Sequence, residues 1–215
     1  GEIGDKLVIF KKFSLYTYNE VSLQPVRNSP GTTSPKSVIN LGDYVYYFHG
    51  SNHNNRKTGV YLFDGSRSVK ISAAIQPYID NISPNSYDDV VGWSEGNRVR
   101  MFVGDISSSP RNPSVTNAVI TLDTDGNQWS VDPVADVITA SGKYVEGGSE
   151  KYFLGNSSGE VFEAQKGNDH GGSNIRFSIE TGDIFPVGTG IINKFTRIQI
   201  ESRAGRGIQV SYKLA

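Results

Sequence analysis

Three histidines, no cysteine and a scatter of carboxylates are what this 215-residue sequence offers for chemistry. His49 and His53 are four apart, a spacing that on a helix would aim both imidazoles at one metal ion. Here they fall at a strand end and in a polar loop, with only His170 as a third imidazole. Without a carboxylate or thiolate pattern beside them they read as exposed loop histidines. Residues 123–127, DTDGN, with Asp132 beyond, look superficially like a calcium loop. The EF-hand pattern needs glycine where Gln128 stands and a glutamate at its twelfth position, and this stretch has neither. Asp125, Gly126 and Asn127 read instead as a turn between two strands. Asp88, Asp89 and Glu20 could supply a glycosidase's carboxylate pair, but any β protein carries such groups on its surface, so they are given no role. There is no nucleophile elbow, Walker loop or dinucleotide fingerprint, and residues 188–190, GTG, read as a loop hinge. The sequence therefore offers no catalytic residue, metal ligand or cofactor site, and a non-enzymatic protein is expected.

Aromatic rings are the remaining chemical resource. Tyr46, Tyr47, Tyr61, Trp93 and Trp129 could stack on sugars, and Trp93 and Trp129 are the candidates for a glycan-binding surface. Aromatics at this density in strands also form the core between sheets, and that reading stands beside the first. The 21 basic and 22 acidic residues leave a formal charge of −1, which argues against a general nucleic-acid binder with a broad basic face. The absence of cysteine removes disulfides and thiolate metal sites. No run approaches the roughly 18 apolar residues of a membrane span, and the first residues do not form a signal peptide. The chain begins at Gly1 and its only methionine is Met101, so a processed product or part of a longer protein is expected.

The elements that must position these groups are strands. Residues 42–50, GDYVYYFHG, and 59–65, GVYLFDG, form the clearest unit: a strand, a polar turn and a second aromatic-rich strand. Tyr44, Tyr46 and Phe48 alternate with Val45, Tyr47 and His49, so one face is aromatic. Loose copies of the unit begin near Asp5, Asp43, Asn97 and Glu150. Their matching second strands start near Ser14, Gly59, Asn117 and Gly159. Spacings of about 40 to 50 residues are those of propeller blades, each a small antiparallel sheet covered by its neighbours. The expected fold is all-β and β-propeller-like, with four or five antiparallel blades in residues 1–172 and a C-terminal antiparallel strand set, or closing blade, in 173–215. A β-sandwich with irregular spacing is the alternative. One helical turn is expected over residues 73–80, and exposed loops over 28–36, 51–57 and 105–116.

Residues 6–18, KLVIFKKFSLYTY, resemble the opening of tailed-bacteriophage β-propeller proteins: a hydrophobic strand, a basic turn, then a serine-hydrophobic-tyrosine strand. Residues 177–182, FSIETG, 193–200, NKFTRIQI, and 207–212, GIQVSY, are similar to the end of the same class. That class includes tail-hub, nozzle and head-to-tail completion proteins of short-tailed phages. The resemblance implies a virion structural protein assembled in the host cytoplasm as a ring around the DNA channel. Its partners would be other tail or portal proteins and copies of itself, with DNA passing without sequence-specific binding. The three long loops would then be contact segments. A carbohydrate-binding or host-surface recognition module, built on Trp93 and Trp129, is the alternative.

Overall fold

The computed structural model describes residues 1–51, 58–110 and 112–164, together with the backbone of 169–170 and 173–174. It is all-β, and four antiparallel sheets follow one another along the chain. The first contains β1 (Glu2–Ile3), β2 (Lys6–Phe10), β3 (Leu15–Tyr18) and β4 (Leu23–Pro25). The second contains β5 (Ile39–Leu41), β6 (Tyr44–His49), β7 (Gly59–Phe63) and β8 (Ser68–Lys70). The third contains β9 (Val91–Glu95), β10 (Arg98–Ile106), β11 (Val115–Asp123) and β12 (Gln128–Pro133). The fourth has three strands, β13 (Ile138–Glu146), β14 (Ser149–Asn156) and β15 (Val161–Glu163). Each sheet is a meander, its strands lying side by side in chain order, and none closes on itself. A further pair, β16 (Asp169–His170) and β17 (Ser173–Asn174), is antiparallel. The C-terminal strand set expected over 173–215 otherwise lies outside the described residues. The expected helical turn is present: a 3-10 segment, Ser72–Ile75, runs into α1 (Gln76–Ile79), with Pro77 in its first turn, where a missing N–H costs least.

Turn chemistry explains why the sheets are meanders. The first hairpin of every sheet has a two-residue loop, Gly4-Asp5, Gly42-Asp43, Gly96-Asn97 and Gly147-Gly148. Its first position has φ of 54–58° in all four, the left-handed conformation that glycine adopts without strain and that matches strand twist. The last hairpin of the first three sheets is held by an Asx side chain. Asn19 accepts from the Ser22 amide at 3.0 Å, Asp64 from Ser66 and Arg67 at 2.9 Å, and Asp123 from Asp125 and Gly126 at 3.1 and 3.2 Å.

The sheets stack face on face. Val8 and Leu15 of the first meet Val45, Tyr47, Tyr61 and Phe63 of the second. Tyr47 is fully enclosed, its ring 4.9 Å from Phe10 and stacked on Tyr61 at 5.7 Å. The other face of β6 presents Tyr46 and Phe48 to Val99, Met101 and Ile120 of the third sheet. The segment around α1 enters the same core with Ile75, Ile79 and Ile82. Val91, Trp93, Phe102 and Val119 then pack the third sheet on Ile138 and Leu154 of the fourth. The aromatic face read from residues 44–48 is thus only half of the strand's apolar content, because both faces of β6 are core. Tyr44, at the strand end, is the exception at 44% exposure.

Replacing Tyr46 by alanine is expected to cost ~2–4 kcal/mol, and Tyr44→Ala no more than about 0.5 kcal/mol. Chemical denaturation of the two variants checks the difference, and equal losses would contradict the burial of only one ring.

Candidate functional site

The most constrained part of the molecule is the segment from Ser29 to Ser37 that carries the chain from the first sheet to the second. Two prolines and a glycine keep it out of the sheets, leaving one 3-10 turn at Pro35–Ser37, and an exposed contact loop is what its composition predicts. The structure corrects this: Ser29, Thr32, Ser34 and Ser37 are all buried. Gly31 passes so close to β2 that a Cβ there would lie 1.5 Å from the Lys11 carbonyl oxygen. The Thr32 amide donates to that same carbonyl at 3.0 Å. Buried backbone without a strand partner must find other hydrogen bonds, and the hydroxyls of this segment supply them. Thr32 Oγ1 lies 2.7 Å from the Phe48 carbonyl and accepts from the Ser34 amide at 3.2 Å. Ser34 Oγ donates to the Val90 carbonyl at 2.6 Å, and Ser37 Oγ accepts from the Phe48 amide at 3.1 Å. Thr33 Oγ1 donates to the Tyr87 carbonyl, and Tyr47 Oη to the Pro30 carbonyl at 2.8 Å.

His49 belongs to the same network. It is 3% exposed, with Nδ1 3.0 Å from the Gly31 carbonyl oxygen and its ring edge-on to Tyr61. The exposed-loop reading of His49 is therefore corrected: an imidazole in the strand core spaces the connector from β7. His53 lies outside the described residues, and so does the His170 side chain.

Beside this segment is a recess of about 470 Å³ lined by Phe10, Lys11, Lys12, Thr33, Val38 and Asp88. The two lysines lean on aromatic rings, Lys11 Nζ 4.9 Å from the Tyr16 centroid and Lys12 Nζ 5.9 Å from that of Phe13. A smaller recess of about 210 Å³ holds Asp89 with Asp105, Ser86 and Asn117. Asp88 and Asp89 thus line different recesses, and Glu20 sits in the β3–β4 turn at φ 65°. The structure does not assemble the three into a carboxylate pair. Among the described residues no group of three or more His, Cys, Asp or Glu side chains is placed to hold a metal.

Trp93 and Trp129 are not brought together either. Trp93 is 7% exposed and packs toward the fourth sheet, whereas Trp129 is half-buried against the cluster between the second and third sheets. They occupy opposite faces of one sheet, so they form no common stacking platform. Next to Trp93, across the β9–β10 ladder, Arg100 pairs with Glu95 at 3.3 Å, both largely buried. Burial pulls the Arg100 guanidinium below its usual range, and the Glu95 carboxylate opposes the shift. Tyr152, pushed up to about 12 by burial and then by its hydrogen bond to Glu150, faces the same junction. This polar seam and the connector hydroxyls had no motif in the sequence; the only signal was serine and threonine at 29, 32, 34 and 37 in a stretch otherwise read as loop.

The DTDGN stretch is a turn with its carboxylate already occupied. Asp123 is held below its usual range first by the Gly126 amide, leaving that oxygen committed to backbone. Asp64 is the stronger case, held at about 2 by the Arg67 amide first and then by the Ser66 hydroxyl and amide.

No protein-family model matches this chain, and no curated protein matches it.

Thr32→Val, which keeps the shape but removes the hydroxyl, is expected to cost ~1–3 kcal/mol, with Thr32→Ser recovering most of it in urea titrations. Asp64 has a folded pKa below its ordinary 3.8, so its stabilisation is complete above that value and is lost as pH falls toward 2. Asp64→Asn should flatten this part of the stability profile, and denaturation midpoints measured between pH 5 and pH 2 for both proteins would reveal an unchanged slope if the turn contributes nothing.

Proposed function

We propose that this chain is a non-catalytic assembly protein of a virion, of the tail-hub, nozzle or head-to-tail completion kind, and that its sheets are blades of a β-propeller-like body. The blade reading is supported by four meanders in chain order, each stacked on the next. A β-sandwich has two sheets, each with one wet face, whereas here the second and third sheets are covered on both sides. Further support comes from the first strands: Ser141 of β13 donates to the Gly92 carbonyl of β9 at 2.8 Å, and Gly92 lies against Ile39 of β5. First strands gathered side by side are what a ring of blades requires.

The observation that carries the assembly reading is the apolar outer face of the first sheet, where Leu7 and Leu23 are 50% and 56% exposed. A contiguous apolar sheet face is a place where another surface binds. The chemistry favours binding over catalysis. The recess beside the connector pairs its lysines with rings, and the buried hydroxyls are spent on backbone carbonyls.

Cryo-electron microscopy of intact particles, with the protein located by cross-linking mass spectrometry, is expected to place it in a symmetric ring at the tail. A protein that stays a monodisperse monomer and is absent from every particle fraction would overturn the proposal.

A further inference from the structure

Three consecutive residues at the end of β6 hold three consecutive residues of the connector. The Phe48 carbonyl lies 2.7 Å from Thr32 Oγ1, His49 Nδ1 lies 3.0 Å from the Gly31 carbonyl oxygen, and the Gly50 amide donates to Thr33 Oγ1 at 3.1 Å. A carbonyl only accepts, so Nδ1 of His49 carries a proton. His49 is the one titrating group in this clasp.

Its surroundings disfavour charge. Gly59 is the cross-strand partner of His49, and Lys70 of β8 lies over it. A Cβ on Gly59 would stand 2.5 Å from Lys70 Cε and 3.3 Å from Nζ. Burial pulls the Lys70 ammonium below its usual range, and Asp80 opposes the shift. Tyr61, edge-on to the imidazole, and Tyr47, on the same face of β6, are both pushed up by burial. Tyr87 packs its ring on Gly50 and Phe48. The other charged groups of these elements are engaged elsewhere. Asp43, Asp64 and Arg67 stand in turns at the far end of β6. Lys11 and Lys12 lie over Tyr16 and Phe13, Lys36 reaches the Thr139 carbonyl, and Asp88 lines the recess beside the connector. Residues 52–57, NHNNRK, which join β6 to β7, include no acidic residue.

We infer that His49 is an acid-sensitive catch: protonating its ring between pH 7 and pH 5 opens the clasp on residues 31–33 and loosens the first sheet from the second. An imidazolium keeps the Nδ1 bond but adds a second cation to an enclosure that already holds Lys70. Burial and like charge both oppose it. In the unfolded chain a histidine takes up its proton near pH ~6.5, so there the unfolded state gains a proton that the folded state resists. Stability is therefore complete above that pH and falls as pH drops below it, by a limit of about tenfold in the unfolding constant per pH unit. The catch is independent of the assembly reading, which concerns the outer faces. Its pH window also lies above that of Asp64.

Urea titrations of the whole chain at pH 7, 6 and 5 test the catch beside His49→Asn, whose amide can donate to the same carbonyl and does not titrate. The wild-type unfolding constant should rise by up to about tenfold per unit below pH ~6.5, with His53→Asn and His170→Asn keeping that slope and His49→Asn losing it. Equal slopes in wild type and His49→Asn, or no slope in either, would overturn the inference. If His49→Asn does not fold, nitrogen NMR of the wild-type rings decides. A His49 ring that stays neutral until the clasp opens supports the catch, and one that takes up its proton near pH ~6.5 with the clasp intact overturns it. Hydrogen exchange reports the clasp itself. At pH 5.5, corrected for intrinsic rates, the Thr32 and Phe48 amides should exchange faster than at pH 7 while Met101 does not change. An equal rise at Met101 would mean global unfolding and would overturn a local catch.

Discussion

Where three sheets meet, the molecule depends on a set of hydroxyl-to-carbonyl hydrogen bonds. The segment from Ser29 to Ser37 has to pass through the interior without joining a ladder, which would leave its own polar groups and the ends of neighbouring strands without partners. Thr32 reaches the Phe48 carbonyl of the second sheet, and Ser34 reaches the Val90 carbonyl at the start of the third. An unsatisfied buried carbonyl costs roughly 1–3 kcal/mol, so the hydroxyls decide whether the path is available at all. Aliphatic residues of the same size would fill the space and leave the carbonyls unpaired. That asymmetry explains why a stretch with loop composition is buried. Its serines and threonines are short enough to bond locally and small enough to pass between strands.

Given that seam, stacking follows from the strands themselves. The second sheet is apolar on both faces, so both must be covered. Val45 and Tyr47 need the first sheet while Tyr46 and Phe48 need the third. The second sheet is therefore held between two neighbours, and the order of meanders along the chain becomes their order in space. The same logic makes the first and fourth sheets unfinished. Among the described residues, their outer faces retain the two-sided pattern without a second neighbour.

Much of this order was legible. The four strand-turn-strand copies read near Asp5, Asp43, Asn97 and Glu150 are the second hairpins of the four sheets, β2–β3, β6–β7, β10–β11 and β14–β15. Central strands carry the densest alternation, and so they announced themselves, whereas β1 and β4 are two and three residues long and could not. The uneven spacing has a physical source in the helical segment at 72–79 and in the residues between β10 and β11, which lengthen the second and third repeats. A sharper signal went unread. Glycine followed by Asp, Asn or Gly stands at 4, 42, 96 and 147 between the first and second strands of the four sheets, where the two-residue loop needs positive φ at its first position, although the same dipeptides also occur at 104, 126 and 155. Burial of polar groups was the part that sequence pattern could not reveal. Hydropathy ranks Ser34 and His49 as surface residues, and only the approach of a distant strand supplies the carbonyl that makes their burial tolerable.

The distribution of charge bears on what such a body can do. Acidic and basic residues nearly cancel, and ion pairs such as Arg100 with Glu95, Lys151 with Glu146 and Arg98 with Asp123 tie neighbouring strands together across hairpins. A protein that steered anionic or cationic substrates would concentrate one sign around a cleft. Here five ion pairs lie within single sheets, and exposed apolar side chains stand on the terminal sheets, Leu7, Leu23 and Tyr18 on one and Tyr144 and Val161 on the other. Apolar contacts lack the long-range attraction that speeds encounter, and their strength comes from the water released once surfaces fit. Such faces suit permanent association between copies held at high local concentration better than rapid exchange of a diffusing ligand. The assembly reading thus requires nothing that the glycan reading does, since it needs neither a free aromatic platform nor an open polar groove. It uses the property that built the interior, a small sheet with two apolar faces, at the place where the described chain provides no second neighbour.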